Sequence, residues 1–293
     1  MALTLTKERL LDRAKQYCLL ARLHRPIGIL ILLWPTLWAI WLASDGKPDL
    51  LVLTVFSIGV VLMRSAGYII NDYADSDFDP HVERTKLRPI AAGEVSPKEA
   101  LVLFVALSLT AFSLVLLLNL YTILLSFIGA FLAASYPFMK RYTQLPQAYL
   151  GMAFGCAVPM AFAAQTNVIP PVAWILYAAV MLWALVYDTM YAMVDKDDDL
   201  KIGVKSTAIL FGAYDRHIMA VLQVMILGLL IQVGLIKQLS WLYYLGITVA
   251  AGFSVYQQKL IFNRDKKYCF QAFLNNNWFG LAVFVGIFLD YAL

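Results

Sequence analysis

Apolar residues run along this chain in blocks about as long as a bilayer is thick, divided by polar connections of two kinds. Blocks of ~20 apolar residues read as membrane-crossing helices. The pattern predicts nine of them: 26–43, 49–71, 99–119, 121–138, 147–164, 170–193, 215–236, 240–257 and 272–292. The connections at 44–48, 119–120, 165–169 and 237–239 are short and nearly uncharged, whereas those at 72–98, 139–146, 194–214 and 258–271 are longer and polar. The expected architecture is an all-α integral membrane protein, one domain over residues 1–293, with nine transmembrane helices around a central cavity. Loops 72–98 and 194–214 are expected to form a small cytoplasmic cap over that cavity.

Composition agrees with this reading. Of 293 residues 61% are hydrophobic and 14% charged, with mean hydropathy +0.72, whereas a soluble domain carries roughly a quarter charged residues. The alternating ten-residue segments of a transmembrane barrel are absent from the sequence. Cys18, Cys156 and Cys269 stand far apart, which excludes a disulfide framework or a zinc motif of CxxC type. A basic stretch precedes the first apolar block without a small-residue cleavage site, so that block is expected to be an uncleaved span.

Charge sets the orientation. Among 23 lysines and arginines, Lys47 and Lys237 alone fall in the short connections, and Arg64 falls inside a block. All the others lie at the N-terminus, in the four polar loops or, as Arg216, at the margin of one, so that side faces the cytoplasm and the C-terminus faces outside. The expected surroundings are membrane lipid, with no nucleic-acid partner. Trp34, Trp38, Trp41, Trp174, Trp183, Trp241 and Trp278 are expected mostly at the two interfaces.

Two polar stretches carry the candidate chemistry. Asn71, Asp72, Asp75, Asp77 and Asp79 close the second block and are followed by Arg84, Lys86 and Arg88; Asp188, Asp195, Asp197, Asp198 and Asp199 close the sixth, followed by Lys201 and Lys205. At ~100° per residue, Asn71, Asp75 and Asp79 share one helical face, and Asp188, Tyr191, Asp195 and Asp199 fall within an arc of about 80°. Carboxylates in a row at a helix C-terminus repel one another and the helix dipole. A divalent cation resolves that conflict, and an all-oxygen donor set suits Mg²⁺, with diphosphate oxygens and water completing its shell. Lys86, Arg88, Lys205, Arg22 and Lys140 are candidate diphosphate ligands. Acid rows, bases and a greasy cavity together point to a lipid diphosphate.

Competing readings are a solvated loop for the DKDDD run, and a transporter with an intramembrane acid–base network. An EF-hand loop fails, because Leu200 and Ser206 stand where Gly and Glu are required. Asp188 lies inside the block, where carboxylates are costly and functional by default. Arg64 reads either as a structural ion pair or as an anion contact in the cavity. Tyr68, Tyr73, Tyr136, Tyr187 and Tyr191 lie beside the charged stretches, where their rings are candidates to face an electron-poor intermediate. His24, His81 and His217 show no ligand spacing.

At these residues the chain resembles the UbiA-type intramembrane prenyltransferases. The signature NDxxDxxxD stands as Asn71 to Asp79, and DxxYxxxDxxxD as Asp188, Tyr191, Asp195 and Asp199. Accompanying elements are Arg88-Pro89, Tyr136-Pro137 with Lys140-Arg141, and Gly203 with Lys205-Ser206. Within the family, LHRPIGILILLWPTLWAIW, MRSAGYIINDYAD and YDTMYAMVDKDDDLKIGVKSTAILFG are most similar to the bacterial branch that prenylates 4-hydroxybenzoate. Tyr68 departs from the small residue or Cys expected before the first motif. The resemblance implies transfer of an all-trans polyprenyl chain from polyprenyl diphosphate to the ring carbon ortho to the hydroxyl of 4-hydroxybenzoate, in ubiquinone synthesis. It implies Mg²⁺ at Asn71, Asp75, Asp79, Asp195 and Asp199, with Asp188 and Tyr191 also at the reaction centre. Another aromatic or quinone-precursor acceptor within the same superfamily is the nearest alternative. The acceptor's carboxylate is assigned to Arg141 in preference to Arg64.

Overall fold

A computed structural model describes residues 2–77, 79–81 and 85–293. Arg84 of the basic run lies outside the described residues. Among them the chain is all-helical: α1 (Ala2–Leu20), α2 (Ile27–Ala43), α3 (Leu50–Ala74), α4 (Pro97–Val115), α5 (Leu120–Tyr142), α6 (Pro146–Gly155), α7 (Ala157–Thr166), α8 (Pro171–Ile202), α9 (Thr207–Phe211), α10 (Asp215–Ile236), α11 (Trp241–Leu260) and α12 (Lys266–Ala292). Two 3₁₀ turns, Asp79–His81 and Gly212–Tyr214, punctuate the connections.

Every predicted block is helical. Seven helical stretches are long and apolar enough to cross a membrane; Ile27–Ala43 is a shorter apolar helix, and α11 is not among the seven. Local chemistry sets the boundaries. Asp49 accepts hydrogen bonds from the Leu51 and Val52 N–H groups and starts α3. Ser96 and Glu99 form a reciprocal capping box at the start of α4. Asn119 and Ser240 cap α5 and α11 one way, accepting from the Thr122 and Leu242 N–H groups.

The structure corrects the sequence reading at three elements. Block 147–164 is two helices meeting at Cys156. Pro159 has no N–H to offer the Gly155 carbonyl one turn back, so one bond of the ladder is missing at that junction. The sixth block does not end at 193: α8 runs 32 residues, to Ile202. No Gly or Pro interrupts 172–202, and Gly203, at φ +73°, is the first residue to take the left-handed turn that ends a helix. Part of the expected loop 194–214 is therefore helix. Conversely, α3 stops at Ala74 with Asp75 as its C-cap, so Asp79 sits in a 3₁₀ turn. A single helix-type bond, Asp79 N–H to the Asp75 carbonyl at 2.8 Å, carries the register across.

The main core lies among α2, α7, α8, α10, α11 and α12. Trp38 and Trp183 are fully buried there, their rings 5.2 Å apart. Trp38 donates to the Gly280 carbonyl, and Trp183 and Trp34 donate to Asn276 and Asn277. These indoles are core and not the expected interfacial belt, because partners on α12 satisfy their N–H groups in place of water. Trp174, Trp241 and Trp278 are exposed. A smaller cluster joins Leu20, Ala21, Ile69, Ile90, Val95 and Ala100, and so packs the end of α1 and loop 85–96 onto α3 and α4.

Candidate active site

A cavity of about 840 Å³ opens between α2, α3, α4, α5, α7 and α8. Its polar end holds both acid rows. Asn71, Asp72, Asp75 and Asp79 line it from the end of α3, and Asp188, Tyr191, Asp195 and Asp199 line it from α8. Arg22, Arg88, Lys140 and Lys205 lie on the same wall. Away from them the lining turns apolar, through Ile31, Phe56, Val60, Phe112, Ala130 and Met160.

The first row is buried and tied to bases. Asp72, Asp75 and Asp79 are 1%, 5% and 5% exposed. Arg22 pairs with Asp72 at 2.8 Å, and Arg88 bridges Asp72 (3.1 Å) and Asp79 (2.8 Å). Lys140 pairs with Asp75, and Asn71 Nδ2 donates to Asp75 Oδ2 at 3.2 Å. Burial pushes the Asp79 carboxyl above the ordinary carboxylate range, against the pull of Arg88. Arg22 reaches Asp72 from a left-handed backbone, φ +53°, just past α1. Glycine normally takes that conformation at a helix end, so a costlier residue there marks a side chain the site needs.

The residues expected to act on substrate part company at Arg141 and Lys86. Neither lines the cavity. Arg141 Nη2 donates to the Ala74 carbonyl at 2.7 Å, so the guanidinium covers the exposed carbonyl end of α3. Lys86 lies on the exposed surface. Lys205 lines the cavity, while its Nζ bonds the Tyr142 carbonyl and its N–H the Lys140 carbonyl, which hooks the turn after α8 onto the end of α5.

Arg64 occupies the deep wall. Its Nε donates to the Gly28 carbonyl at 3.2 Å, and its guanidinium stacks 4.1 Å from the Tyr68 ring and 5.0 Å from that of Phe154. Among the described residues no carboxylate comes within ion-pair distance of it. The other face of Tyr68 lies 4.4 Å from Arg22. Tyr68 is thus a plate between two guanidiniums, and the room for its hydroxyl comes from Gly28, where a Cβ would stand 1.7 Å from it. Tyr136, Tyr187 and Tyr191 also line the cavity, whereas Tyr73 packs in the small cluster beside α1. Sequence reasoning missed Gly28; the only trace was the bulky Tyr68 where a small residue was expected.

The donor set fits magnesium. Among the described residues no three acid, His or Cys side chains gather closely enough to hold an ion unaided. The rows instead face each other across shared space, which suits an ion that takes one or two carboxylates and fills its shell with phosphate oxygens and water. Asp75 Oδ1 is buried and, beyond its charge contact with Lys140, has no aligned hydrogen-bond donor.

Comparison with known proteins agrees with this geometry. A family model described as the UbiA prenyltransferase family matches residues 32–282. A 4-hydroxybenzoate octaprenyltransferase of Methylococcus capsulatus is 66% identical over 280 residues, covering 96% of each chain. One from Alkalilimnicola ehrlichii is 59% identical and covers 98% of each. Among solved structures, the apo structure of a UbiA homolog from Aeropyrum pernix superposes with TM-score 0.79 at 27% identity, over 90% of this chain and 97% of that one. A UbiA homolog from Archaeoglobus fulgidus bound to GPP and Mg²⁺ shares the fold at TM-score 0.69 and 18% identity, over 92% and 99%. With paired acid rows at the mouth of one membrane-depth cavity and relatives matching it end to end, this chain belongs to the UbiA prenyltransferase family.

Proposed function

We propose that the chain transfers a polyprenyl group from polyprenyl diphosphate to the carbon ortho to the hydroxyl of 4-hydroxybenzoate. The observation that carries the proposal is the division of one cavity. It has an acid-and-base mouth fit for a metal diphosphate, an apolar length fit for a prenyl tail, and a half-buried arginine with no carboxylate among the described residues within ion-pair distance, fit for an aromatic acid. The curated relatives, 4-hydroxybenzoate octaprenyltransferases by name, support the same reading.

Asn71, Asp75 and Asp79 would hold one Mg²⁺, and Asp195 and Asp199 a second. The bound metal supplies charge neutralisation of the leaving diphosphate. Arg22, Arg88, Lys140 and Lys205 add donors to the same oxygens, and this favours heterolysis of the allylic C–O bond. Lys86 and Arg141 then act on the outer side of this group, Arg141 by holding the end of α3 beside Asp75. Tyr191 presents the face of its ring to the resulting allyl cation. Arg64, not Arg141, takes the acceptor's carboxylate, and Asp188, about one turn before Tyr191 on the same helical face, polarises the phenol. The ring carbon forms its bond to the prenyl C1, and the released diphosphate takes the ring proton, which restores aromaticity.

The nine helical blocks are read as nine spans of a single domain, with α1 and loop 85–96 as a cap on the cytoplasmic side of the inner membrane and the C-terminus in the periplasm. The test uses membranes containing the chain, radiolabelled 4-hydroxybenzoate and a series of polyprenyl diphosphates. Labelled prenyl product is expected, lost with EDTA and restored by Mg²⁺; Asp75→Ala and Asp195→Ala are each expected to lose at least ~100-fold in turnover while still inserting. Faster prenylation of a different acceptor would overturn the acceptor, and wild-type turnover in either variant would overturn the metal assignment.

A further inference from the structure

Near the guanidinium of Arg64, which has no carboxylate among the described residues within ion-pair distance, one buried group has nothing to bond. Tyr187 is 2% exposed, and its hydroxyl has no hydrogen-bond partner. The ring is fully engaged: Trp183 meets it edge-on at 5.4 Å, and Phe273 and Phe154 lie at 6.2 Å and 6.4 Å. Its ring is therefore held in the core, and the hydroxyl is the part of Tyr187 left for the cavity that it lines. Phe154 links the two residues, since Arg64 stacks on that same ring at 5.0 Å, and Tyr187 lies within electrostatic reach of Arg64.

A buried hydroxyl without a partner costs about 1–3 kcal/mol relative to a bonded one. Phenylalanine would fill the same space without that cost, so the oxygen has no structural justification in the protein alone. Next to a guanidinium that feels Asp188 electrostatically but has no carboxylate within ion-pair distance, a hydroxyl donor completes a two-point site for a carboxylate. We infer that Tyr187 is an acceptor-binding residue, its hydroxyl donating a hydrogen bond to the carboxylate that Arg64 pairs with. This rests on the proposed aromatic-acid site and adds to it the residue that fixes the acceptor's carboxylate in the plane of the arginine. It also replaces the expectation that the Tyr187 ring faces the allyl cation, because that ring's surroundings are already taken.

The test is Tyr187→Phe in the full chain, with steady-state kinetics for both substrates and thermal unfolding in detergent. The expected result is a rise of about tenfold in KM for 4-hydroxybenzoate, the effect of losing one bond to a charged group, with KM for the prenyl diphosphate unchanged. The penalty should shrink when 4-hydroxybenzamide, which lacks the charge, replaces the acid. The melting temperature should hold or rise, because an unsatisfied group has been removed. An unchanged KM for the acid, an equal loss on acid and amide, or a lower melting temperature overturns the assignment. Arg64→Gln separates the two levels: if it too leaves the acid's KM unchanged, the aromatic-acid site is wrong. If Arg64→Gln raises it and Tyr187→Phe does not, only Tyr187 is wrong.

Discussion

At the scale of residues, the site depends on small clearances as much as on charge. Tyr68 stands between Arg22 and Arg64 and reaches the backbone of Gly28. Any side chain at 28 forces that plate aside, and the stack links the guanidinium paired with Asp72 to the one on the deep wall. Gly28→Ala is expected to destabilise the protein by about 1–3 kcal/mol, the usual cost of overpacking, and to weaken the acceptor's binding. Adding Tyr68→Ser should restore stability, because the clashing atoms are gone. Unfolding curves of the two single variants and the double variant check this; strictly additive losses would show that the two positions do not meet.

Among elements, α8 is the one that most changes the picture. At ~1.5 Å per residue its 32 residues span about 48 Å, more than the ~30 Å apolar slab. The excess carries Asp195 and Asp199 beyond the apolar layer on a rigid helix. That extension is held from behind: Lys196 reaches Asp215 (3.9 Å) and the Gly212 carbonyl (3.4 Å), and Lys266 pairs with Asp197 at 3.1 Å. Asp215 is in turn buried and gripped by Arg264 through two nitrogens at 2.7 and 3.0 Å. Asp198 has only a surface pair with Lys201, and such pairs contribute little. Asp198→Ala is therefore expected to keep activity within about twofold. Asp198→Pro should abolish turnover, since proline inside a helix costs about 3 kcal/mol and breaks the line from Asp195 to Asp199. Full activity in the proline variant would mean that the acids act from a loop after all.

For the molecule as a whole, packing and orientation answer different questions. Helices α4 and α5 leave most of their apolar residues exposed while α8 buries most of its own, so α8 stands at the centre and α4 and α5 on the outside. The proposed orientation places Lys47 outside and Lys98 inside. In a chain lacking its own cysteines, Lys47→Cys should react with a membrane-impermeant thiol reagent added to intact spheroplasts, and Lys98→Cys only after permeabilisation. The reverse pattern would invert the molecule and move the acid rows to the periplasm.

The blocks of apolar residues determined the helices, because in a bilayer a backbone has to satisfy its own hydrogen bonds and few other shapes can do so. The acid rows were equally legible, since carboxylates beside apolar segments are too costly to occur without a purpose. Tertiary structure alone decided which of the nearby bases face the cavity. Spacing could not separate Arg141, which covers the end of α3, from Arg64, on the deep wall with no carboxylate within ion-pair distance. Nor could it find the orphaned hydroxyl of Tyr187 or the gap above Gly28. A side chain's chemistry is written in its own residue, but whether that chemistry is already satisfied depends on neighbours from other helices.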